Sequence, residues 1–526
     1  MAGTMRGVYT NLTDIRRKVF AEVAKIAYSV GENPEGTDDD FDRAFDELPY
    51  KILPGDVATY RESVFLERAI ITERIRLAMG LPQQDVDRPS RVSDGVAEAA
   101  GPEAYYQPPL INIIKFACNA CEDNVYRVSS ACQGCLAHPC IESCPKDAIS
   151  FKNKRAFIDH SKCIACGRCA SVCPYHAIHH HTRPCAEACG MNAIGSDEHG
   201  RADIDYEKCV SCGQCLVNCP FGAIADKSQL VQVIWSILGG DEVIAAVAPA
   251  FVGQFGGKGN VGKLREAFRL LGFSGVEEVA IGADLCAIEE AEMFLDEVPE
   301  KFPFMGTSCC PAWSSMAKME FPKYADCISM ALTPMVLTAR MIRQKHPHAK
   351  IVFVGPCAAK KLEAQRKSVR SEVDFVLTFE EMAGMMAAKD IDYLALKDDN
   401  KSDFDTASAD ARTFAIAGGV ANAVVNAIHR EHPDVEVHVH NAEGLNECRQ
   451  MMKDAIKGKY PGYLLEGMAC PGGCVAGAGT LQPIARSTAA VKRYAKRSPH
   501  ANAVDNELRS LIHALEREED GLAAEE

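Results

Sequence analysis

The chain has 526 residues, of which 47% are hydrophobic, so it is long enough to bury several cores. Its formal net charge of -15 argues against nucleic acid as the main partner. The N-terminus lacks a basic region followed by an apolar run, and no window approaches the roughly 18 unbroken apolar residues of a membrane span, so we expect a cytoplasmic protein that does not enter a membrane. In a reducing compartment its 24 cysteines favour metal binding over disulfides.

The N-terminal part of the chain is predicted to be helical. Apolar residues recur at helical spacing over residues 15–30 and again over 64–78. The following stretch, 82–104, is rich in Pro, Gly, Ser and charge without periodicity, which is typical of a linker. We therefore assign residues 1–104 to a helical region and linker.

The next region, 105–235, contains an internal repeat of cysteines. Each copy holds a complete C-x2-C-x2-C-x3-C-P run, from Cys163 to Cys173 and from Cys209 to Cys219. This run is the signature of bacterial ferredoxins, in which three close thiolates bind one [4Fe-4S] cluster and the fourth reaches the neighbouring cluster. Zinc is the alternative, but zinc ligands usually come as two C-x2-C pairs rather than as four cysteines before a proline.

The sixteen cysteines from Cys118 to Cys219 are enough for four [4Fe-4S] clusters, which together would form an electron wire. In the crossed arrangement each cluster takes three close cysteines and one distant cysteine. The four predicted sets are Cys132, Cys135 and Cys140 with Cys173; Cys163, Cys166 and Cys169 with Cys144; Cys118, Cys121 and Cys185 with Cys219; and Cys209, Cys212 and Cys215 with Cys189. The pair Cys118 and Cys121 could still exchange with Cys132 and Cys135.

The charge of this region suits an acidic redox carrier. Residues 115–228 hold twelve Lys or Arg and twelve Asp or Glu, so the region is less acidic than the whole chain. The histidines between the two runs, His176 and 179–181, could ligate a cluster or gate electron transfer. We favour a solvated loop, because the thiolates already complete the ligand count.

Beyond Leu230, apolar runs alternate with helical patterns and Gly-rich turns, which predicts an α/β domain with functional loops at the strand ends. Five cysteines occupy such loops, and four of them could bind a further cubane while one stays free. They are Cys309 and Cys310 in "GTSCCPAW", Cys357 in "GPCAAKK", and Cys470 and Cys474 in "GMACPGGC".

These three segments resemble the three signature loops of the [FeFe] hydrogenases, and the resemblance spans roughly residues 209–500. The helical leader and the extra cluster region are most similar to the group B branch. The resemblance implies reversible H2 oxidation and proton reduction at an H-cluster. That cofactor is a [4Fe-4S] cubane joined through one cysteine to a diiron unit with CO, CN and bridging azadithiolate ligands.

The resemblance also implies a role for each loop cysteine. Cys310, Cys357, Cys470 and Cys474 match the cubane ligands, and Cys474 is the one that bridges to the diiron unit. Cys309 matches the free thiol that passes protons beside the open iron site, which needs a nearby proton carrier.

Other matched residues surround the diiron unit. Lys360 matches the lysine that pairs with a diiron cyanide through a charge-assisted contact, and Met468 matches a methionine packed against the unit. The remaining matches around the unit are Ala248, Pro249, Ala250 and Pro356. Ala250, Gly355 and Met335 depart from the residues that the family places there, which implies altered packing and polarity.

Protons are expected to travel between the site and solvent. Glu290 matches the first relay glutamate of the family and Ser329 matches its relay serine. Met293 stands where the second glutamate is expected, and a thioether cannot carry a proton. Either Glu292 or Glu289 substitutes for it, or the route runs elsewhere.

The sequence therefore predicts a multidomain α+β protein, a ferredoxin-linked [FeFe] hydrogenase with four accessory [4Fe-4S] clusters. The H-cluster domain is assigned to 236–484 and a small-subunit-like helical tail to 485–526. H2 and protons are the expected substrates, and the expected partners are ferredoxin or a similar carrier and the maturation proteins that insert the diiron unit. Two alternatives stay open, an H2-sensing protein and an iron-sulfur assembly factor without hydrogenase activity.

Overall fold

The computed structural model describes residues 8–32, 38–85, 87–99, 108–256, 261–366, 371–397 and 406–515. Its N-terminal part is helical, with helices α1–α4 over Asn11–Glu32, Asp38–Ile52, Val64–Ala78 and Val96–Ala99. The stretch predicted to be a linker is irregular apart from α4. The buried Arg76 guanidinium holds it against α3 by donating to the carbonyls of Pro82, Arg91, Val92 and Asp94. Residues 86 and 100–104 of that stretch lie outside the described residues.

The cysteine-rich region consists of short helices and two-stranded antiparallel sheets. Helices α5–α8 span Pro139–Glu142, Arg168–Ser171, Pro184–Glu187 and Gln214–Asn218. Strands β1–β8 span Ile111–Ile113, Val125–Val128, Ile149–Lys152, Arg155–Ile158, Ile178–His181, Ile194–Ser196, Ala202–Ile204 and Ile224–Asp226. They pair as β1 with β8, β2 with β5, β3 with β4, and β6 with β7. The three histidines 179–181 therefore lie on strand β5, where the His180 ring stacks on Tyr126.

The third region is built on two parallel sheets. Strands β9–β15 span Val243–Val247, Gly275–Glu278, Phe304–Gly306, Lys350–Gly355, Phe375–Thr378, His438–Glu443 and Tyr463–Met468. One sheet has the order β10-β9-β12-β13 and the other has the order β11-β15-β14. Helices α9–α18 span Leu230–Leu238, Val261–Leu271, Ala280–Glu297, Pro311–Glu320, Pro334–Lys345, Ala359–Ala364, Phe379–Ala388, Ala409–Thr413, Gly419–Glu431 and Leu445–Ile456. Parallel strands with covering helices confirm the predicted α/β character of this region.

The chain closes with helices α19 (Ile484–Ala495) and α20 (Ile512–Leu515). Ile512 and Leu515 pack into the core that also holds α11 and α17. Arg340 of α13 donates to the Leu515 carbonyl at 2.8 Å. The tail thus lies against the α/β region, as a clasp would.

The regions share buried contacts. Gly384 of α15 lies so close to α1 that a Cβ there would come within 2.5 Å of the Phe20 Cβ. The buried Lys361 ammonium joins the cysteine-rich region to α15, because its Nζ lies 2.7 Å from Asp226 and 2.9 Å from Glu381. Of the helices within the described residues, none is both long and apolar enough to cross a bilayer.

Candidate active site

The three cysteine loops meet at one cavity. Cys310 follows β11, Cys357 follows β12, and the loop from Cys470 to Cys474 follows β15, so each loop leaves the carboxyl end of a parallel strand. Loops at that edge of an α/β sheet converge, which is why residues far apart in sequence meet here. The cavity encloses about 840 Å³ of space not filled by protein atoms, part of it open to solvent.

Most of the residues that the sequence predicted for the site line this cavity. The lining residues from that prediction are Cys309, Cys310, Cys357, Cys470, Cys474, Lys360, Met468, Ala248, Pro249, Ala250 and Pro356. Glu290 and Ser329 are not among the lining residues; both are buried behind the wall, Glu290 on α11 and Ser329 on the segment that follows β11 and α12. Glu290 and Ser329 therefore belong to a layer of polar groups behind the residues that line the cavity.

The two adjacent cysteines face different surroundings. Cys310 stands at the N-terminus of α12, and its thiol lies near the N–H groups of Ala469 and Trp313. The Cys309 thiol lies instead toward Glu290 and Cys286 of α11. Burial raises the pKa of both thiols, and the charge of Glu290 adds to the rise at Cys309.

Lys360 brings a cation to the cavity. Its Nζ lies 2.6 Å from Glu363 Oε2 and 3.4 Å from both Thr333 Oγ1 and the Cys309 carbonyl. Burial lowers the pKa of Lys360, but the Glu363 carboxylate outweighs that effect and holds the pKa above its ordinary value. The sequence prediction missed Glu363; its position three residues after Lys360, on the same face of α14, was the available signal.

The departures from the family change the wall of the cavity. Met335 and Phe353 both line it, next to Ala250. A Cβ at Gly355 would come within 2.5 Å of the Phe353 ring, so the Phe353 side chain fills the space above this glycine. The wall is therefore apolar, with an aromatic ring, around the positions where the sequence predicted altered packing.

The residues present fit an H-cluster. Four thiols from three loops lie near one another, and the fifth thiol, Lys360 and Met468 line the same cavity. Thiolates are the usual ligands of [4Fe-4S] clusters, and a buried ammonium suits anionic ligands such as cyanide. The loop between Cys470 and Cys474 needs its glycines, since Gly473 has φ of +86° and a Cβ there would lie 2.5 Å from the Ala417 nitrogen.

The first polar layer behind the wall starts at Glu290. Its Oε1 accepts hydrogen bonds from Ser308 N at 2.8 Å and from Ser308 Oγ at 3.1 Å. Burial raises the pKa of Glu290 to about 7, opposed by Ser308 and by the nearby Ser329 hydroxyl. That hydroxyl is directed at the Met293 sulfur, 3.8 Å away. The substitution that the sequence showed at Met293 thus stands next to the predicted relay serine.

The cysteine-rich region brings together the predicted sets of four. Cys132, Cys135, Cys140 and Cys173 line one small cavity, and Cys144, Cys163, Cys166 and Cys169 line another. Cys118 and Cys121 lie with Cys219 and Cys185, and Cys189 lies with Cys209, Cys212 and Cys215. These are the sets of the crossed arrangement, without the exchange that the sequence left open. In the part of the chain that the structure describes, no three His, Cys, Asp or Glu side chains are arranged for a single metal ion.

A repeated turn supports each of the four cysteines that cross between sets. In each case the thiol sulfur accepts a hydrogen bond, at 3.3–3.4 Å, from the backbone N–H of the alanine four residues later. The pairs are Cys144 with Ala148, Cys173 with Ala177, Cys189 with Ala193, and Cys219 with Ala223. Donors aimed at sulfur stabilise the thiolate form that binds iron. The sequence prediction missed this turn, although the shared spacing of alanine after each cysteine was visible.

The cysteine-rich region reaches the main cavity. Cys212 lines it, and Gln214 Nε2 lies 3.1 Å from the Cys470 sulfur. The set with Cys189 is therefore the one that adjoins the three-loop site.

Comparisons with known proteins agree with this architecture. Residues 241–478 match the family model of the iron only hydrogenase large subunit, C-terminal domain. Residues 130–183 and 180–230 each match the LdpA Fe-S cluster-binding domain, one match for each cysteine repeat.

Several curated hydrogenases are similar to the chain. Iron hydrogenase 1 of Clostridium pasteurianum is 29% identical over 389 residues, which cover 64% of this chain and 67% of that protein. The periplasmic [Fe] hydrogenase large subunit of Nitratidesulfovibrio vulgaris is 29% identical over 374 residues, 62% of this chain and 86% of that one. The NADP-reducing hydrogenase subunit HndD of Solidesulfovibrio fructosivorans is 29% identical over 314 residues, 49% of this chain, and the match spans 53% of its length, about half.

Among solved structures, a variant of the [FeFe]-hydrogenase HydA1 from Chlamydomonas reinhardtii is 21% identical, covers 54% of this chain and 94% of that chain, and has a TM-score of 0.46. The family-model matches and the curated relatives make this chain similar to the iron-only hydrogenases. The stretch that matches an iron-sulfur cluster-binding domain precedes the stretch that matches the hydrogenase large-subunit domain.

Proposed function

We propose that this chain is an [FeFe] hydrogenase that interconverts H2 with protons and electrons. The observation that carries the proposal is the cavity where three loops bring five thiols together, one more than a cubane needs. An H-cluster bound there would supply the iron centre at which H2 is cleaved or formed.

The chain's own residues would hold and surround that group. Cys310, Cys357, Cys470 and Cys474 would hold it through their sulfurs, and Cys474 would be the one shared with its diiron part. Lys360 would face its anionic ligands, and Met468 with the apolar wall would exclude water. The apolar wall consists of Ala248, Pro249, Ala250, Met335, Phe353 and Pro356.

Cys309 is assigned the proton transfer at the cavity. It lines the cavity without being needed as a ligand, and the next residue, Ser308, hydrogen-bonds to the buried Glu290. A proton can therefore pass between the Cys309 sulfur and the Glu290 carboxyl over a short distance within the protein.

Electron transfer is assigned to clusters bound at the four sets of cysteines. The set with Cys189 adjoins Cys470, and the first repeat, 130–183, contains the exposed Cys166. That repeat has seven Lys or Arg against three Asp or Glu in a chain of net charge -15, and it exposes Leu136, Ile164 and Tyr175 beside its cysteines. A basic surface with apolar spots suits an acidic carrier such as ferredoxin.

Infrared spectroscopy on protein matured anaerobically with hydrogenase maturation proteins tests this function. We expect bands from CO and CN ligands, together with H2 uptake in the presence of oxidised ferredoxin and H2 evolution in the presence of reduced ferredoxin. A control matured without the diiron precursor should show neither. Absence of the bands after competent maturation would refute the proposal and would favour the iron-sulfur assembly alternative.

A second candidate, hydrogen sensing, is favoured by the contact between Ser329 and Met293, because it interrupts the expected relay. A sensor would show the same infrared bands with turnover that stays low under all carriers tested. The two functions are separated by the rate and not by the cofactor.

A further inference from the structure

The expected proton route from Glu290 ends at a residue that cannot pass a proton. The Ser329 hydroxyl contacts the Met293 sulfur at 3.8 Å, and a thioether has no exchangeable proton. On the same helix, Glu292 is exposed and Glu289 is half-buried. These two residues are the rivals to any other route, because each is a carboxyl next to the interrupted position.

Two buried polar atoms on either side of Ser308 lack a partner. Glu290 Oε2 and Thr307 Oγ1 have no hydrogen-bond partner of normal geometry among the residues that the structure describes. Thr307 is fully buried, and its neighbour Ser308 donates to the other oxygen of Glu290. Buried polar groups in proteins are almost always satisfied, and ordered water is the usual partner where no protein group serves. Each of the two atoms can therefore take a bound water as its partner.

Strand geometry places a second carboxyl beside Thr307. β11 and β15 are parallel, with Gly306 opposite Leu465, and Thr307 N continues the ladder by donating to the Leu465 carbonyl at 3.0 Å. Side chains alternate between the faces of a strand. Thr307 therefore lies on the face of Met305, and Glu466 lies on the face of Leu464. Because Met305 stands opposite Leu464, the two side chains share one side of the sheet. Met305 and Leu464 belong to the core that contains α11.

Glu466 is buried and its carboxylate is held in place. Its two oxygens accept from Gly418 N and Ala421 N, each at 2.7 Å, at the start of α17. Burial raises the pKa of Glu466 to about 7, and the charges of Glu290 and Glu443 add to the rise. The titratable groups that face it are these two carboxyls and the Cys309 thiol. A carboxyl that titrates near neutral pH suits proton transfer in both directions.

An exit to solvent lies one strand further on. β14 is paired with β15 so that Asn441 stands opposite Glu466 and Glu443 stands opposite Met468. Side chains two apart share a face, so Glu443 follows Glu466 along the same side of the sheet. The Glu443 side chain is exposed, and its Oε2 accepts from Gly472 N at 2.6 Å.

We propose that Glu466 is the second relay carboxyl of this chain, reached from Glu290 through water held at Thr307, and that Glu443 passes protons to solvent. The proposal rests on the proposed function, since it extends the step between Cys309 and Glu290. In outward transfer the Glu290 carboxyl gives its proton to the water, the water gives another to the Glu466 carboxylate, and Glu466 releases its proton toward Glu443. Glu290 is then reprotonated from Cys309 and Glu443 releases its proton to solvent, so each group returns to its starting state and no electron is exchanged.

Thr307→Val is the main test. Valine has nearly the shape of threonine, and the hydroxyl that it removes makes no hydrogen bond with a described residue, so we expect folding and the melting temperature to be unchanged. H2 turnover of the matured enzyme should fall about tenfold or more, because the water loses a partner. Thr338→Val is the matched control: Thr338 is also buried, but its hydroxyl donates to Pro334 of the same helix, away from the route.

Carboxyl variants locate the route. Glu466→Gln should lower turnover on the order of 100-fold, and Glu466→Asp should restore part of it, since aspartate keeps a titratable carboxyl. Glu289→Gln and Glu292→Gln should leave turnover within about twofold of the parent. If turnover falls in either of those variants and not in Glu466→Gln and Thr307→Val, the proposal is wrong.

A readout that does not depend on the diiron unit separates the two proposals. In protein without that unit, infrared titration of the parent minus Glu466→Gln should isolate the band of the Glu466 carboxyl, and the substitution should also shift the midpoint of the Glu290 band. Carboxyls that titrate independently would overturn the relay even if the enzyme turns over H2. Coupled carboxyls in a matured protein that shows no CO and CN bands would instead refute the hydrogenase function and leave the water-linked pair established.

Discussion

The iron-sulfur region and the α/β domain both gather thiols, but they do so over very different lengths of chain. In three of the four sets of the first region three thiols come from one short run, such as Cys163 to Cys169, and a local turn supports the crossing cysteine. In the α/β domain the ligands come from loops between Cys310 and Cys474, and only the parallel sheets bring them together. Local sets depend on a few turns, whereas the three-loop site depends on the whole domain.

The thiols of the two regions differ in the roles that are open to them. Every thiol of the iron-sulfur region falls into a set of four, so clusters bound at these sets would leave none of them free. The three-loop site has a fifth thiol, Cys309, that faces α11 while Cys310 lies near Cys357 and Cys474. The extra thiol of that site therefore comes from the long-range packing that shapes its cavity.

The largest expected effect is loss of a ligand from the three-loop site. Cys310→Ala removes one of four sulfurs from a site that has no local run to compensate. We expect the H-cluster to assemble poorly and the CO and CN infrared bands to weaken or vanish, with H2 turnover lost. Retention of full bands in this variant would show that Cys310 is not a ligand.

The neighbouring substitution should leave the cofactor in place. Cys309→Ala removes no ligand, so the infrared bands should persist, while turnover falls by roughly 100- to 10,000-fold because the proton step is interrupted. Cys309→Asp should recover some activity, since a carboxyl also carries protons. Near-normal activity in Cys309→Ala would contradict the assignment of the free thiol.

Loss of a ligand from the iron-sulfur region should have a smaller and more local effect. Total iron in the parent should be about 20 atoms from five cubanes plus the diiron unit, and Cys212→Ser or Cys166→Ser should each remove about four. Cys212 adjoins the main cavity and Cys166 is exposed. We therefore expect Cys166→Ser to slow ferredoxin-linked turnover only, whereas Cys212→Ser also slows turnover with small dyes.

Iron content and turnover rates test whether the four cysteine sets hold clusters that transfer electrons or have only a structural role. Iron near about 12 atoms, with zinc present, would contradict the four-cluster wire. Equal loss of ferredoxin-linked and dye-linked turnover in Cys166→Ser would point to collapse of the region instead.

The same contrast explains how much the sequence predicts. The triplets within the two C-x2-C-x2-C runs follow from spacing, because such a run and its turn are local. Whether Cys118 and Cys121 exchange with Cys132 and Cys135 depends instead on where β1 and β7 place them. The loops of the H-cluster site were found by resemblance to a family and not by pattern. Glu363 and Glu466 were missed, because their roles depend on tertiary contacts that sequence periodicity does not predict. Glu363 contacts Lys360, and Glu466 contacts the start of α17. The substitution at Met293 was visible in the sequence, but the alternative proton route that we propose was not.

The smallest expected effect concerns pH and belongs to the α/β domain. Asp284 of α11 is fully buried and accepts hydrogen bonds from Ser408 and from Asn506 of the tail. Burial raises the pKa of Asp284 to about 6, from an ordinary value of 3.8. Between these pH values the folded chain holds a proton that the unfolded chain has released, so the stability that this group contributes is present below pH 4 and is lost as pH rises through 6.

Asp284→Asn isolates this contribution, because asparagine does not titrate. The free energy of unfolding of the parent relative to Asp284→Asn should fall by roughly 1–3 kcal/mol between pH 4.5 and pH 7.5, measured by denaturant unfolding. Asp203→Asn, at an exposed carboxylate on β7 of the iron-sulfur region, is the control and should show little change across that range. A difference that is flat with pH, or that rises with it, would mean that the Asp284 carboxyl is ionised in the folded chain throughout, and that its bonds to Ser408 and Asn506 outweigh its burial.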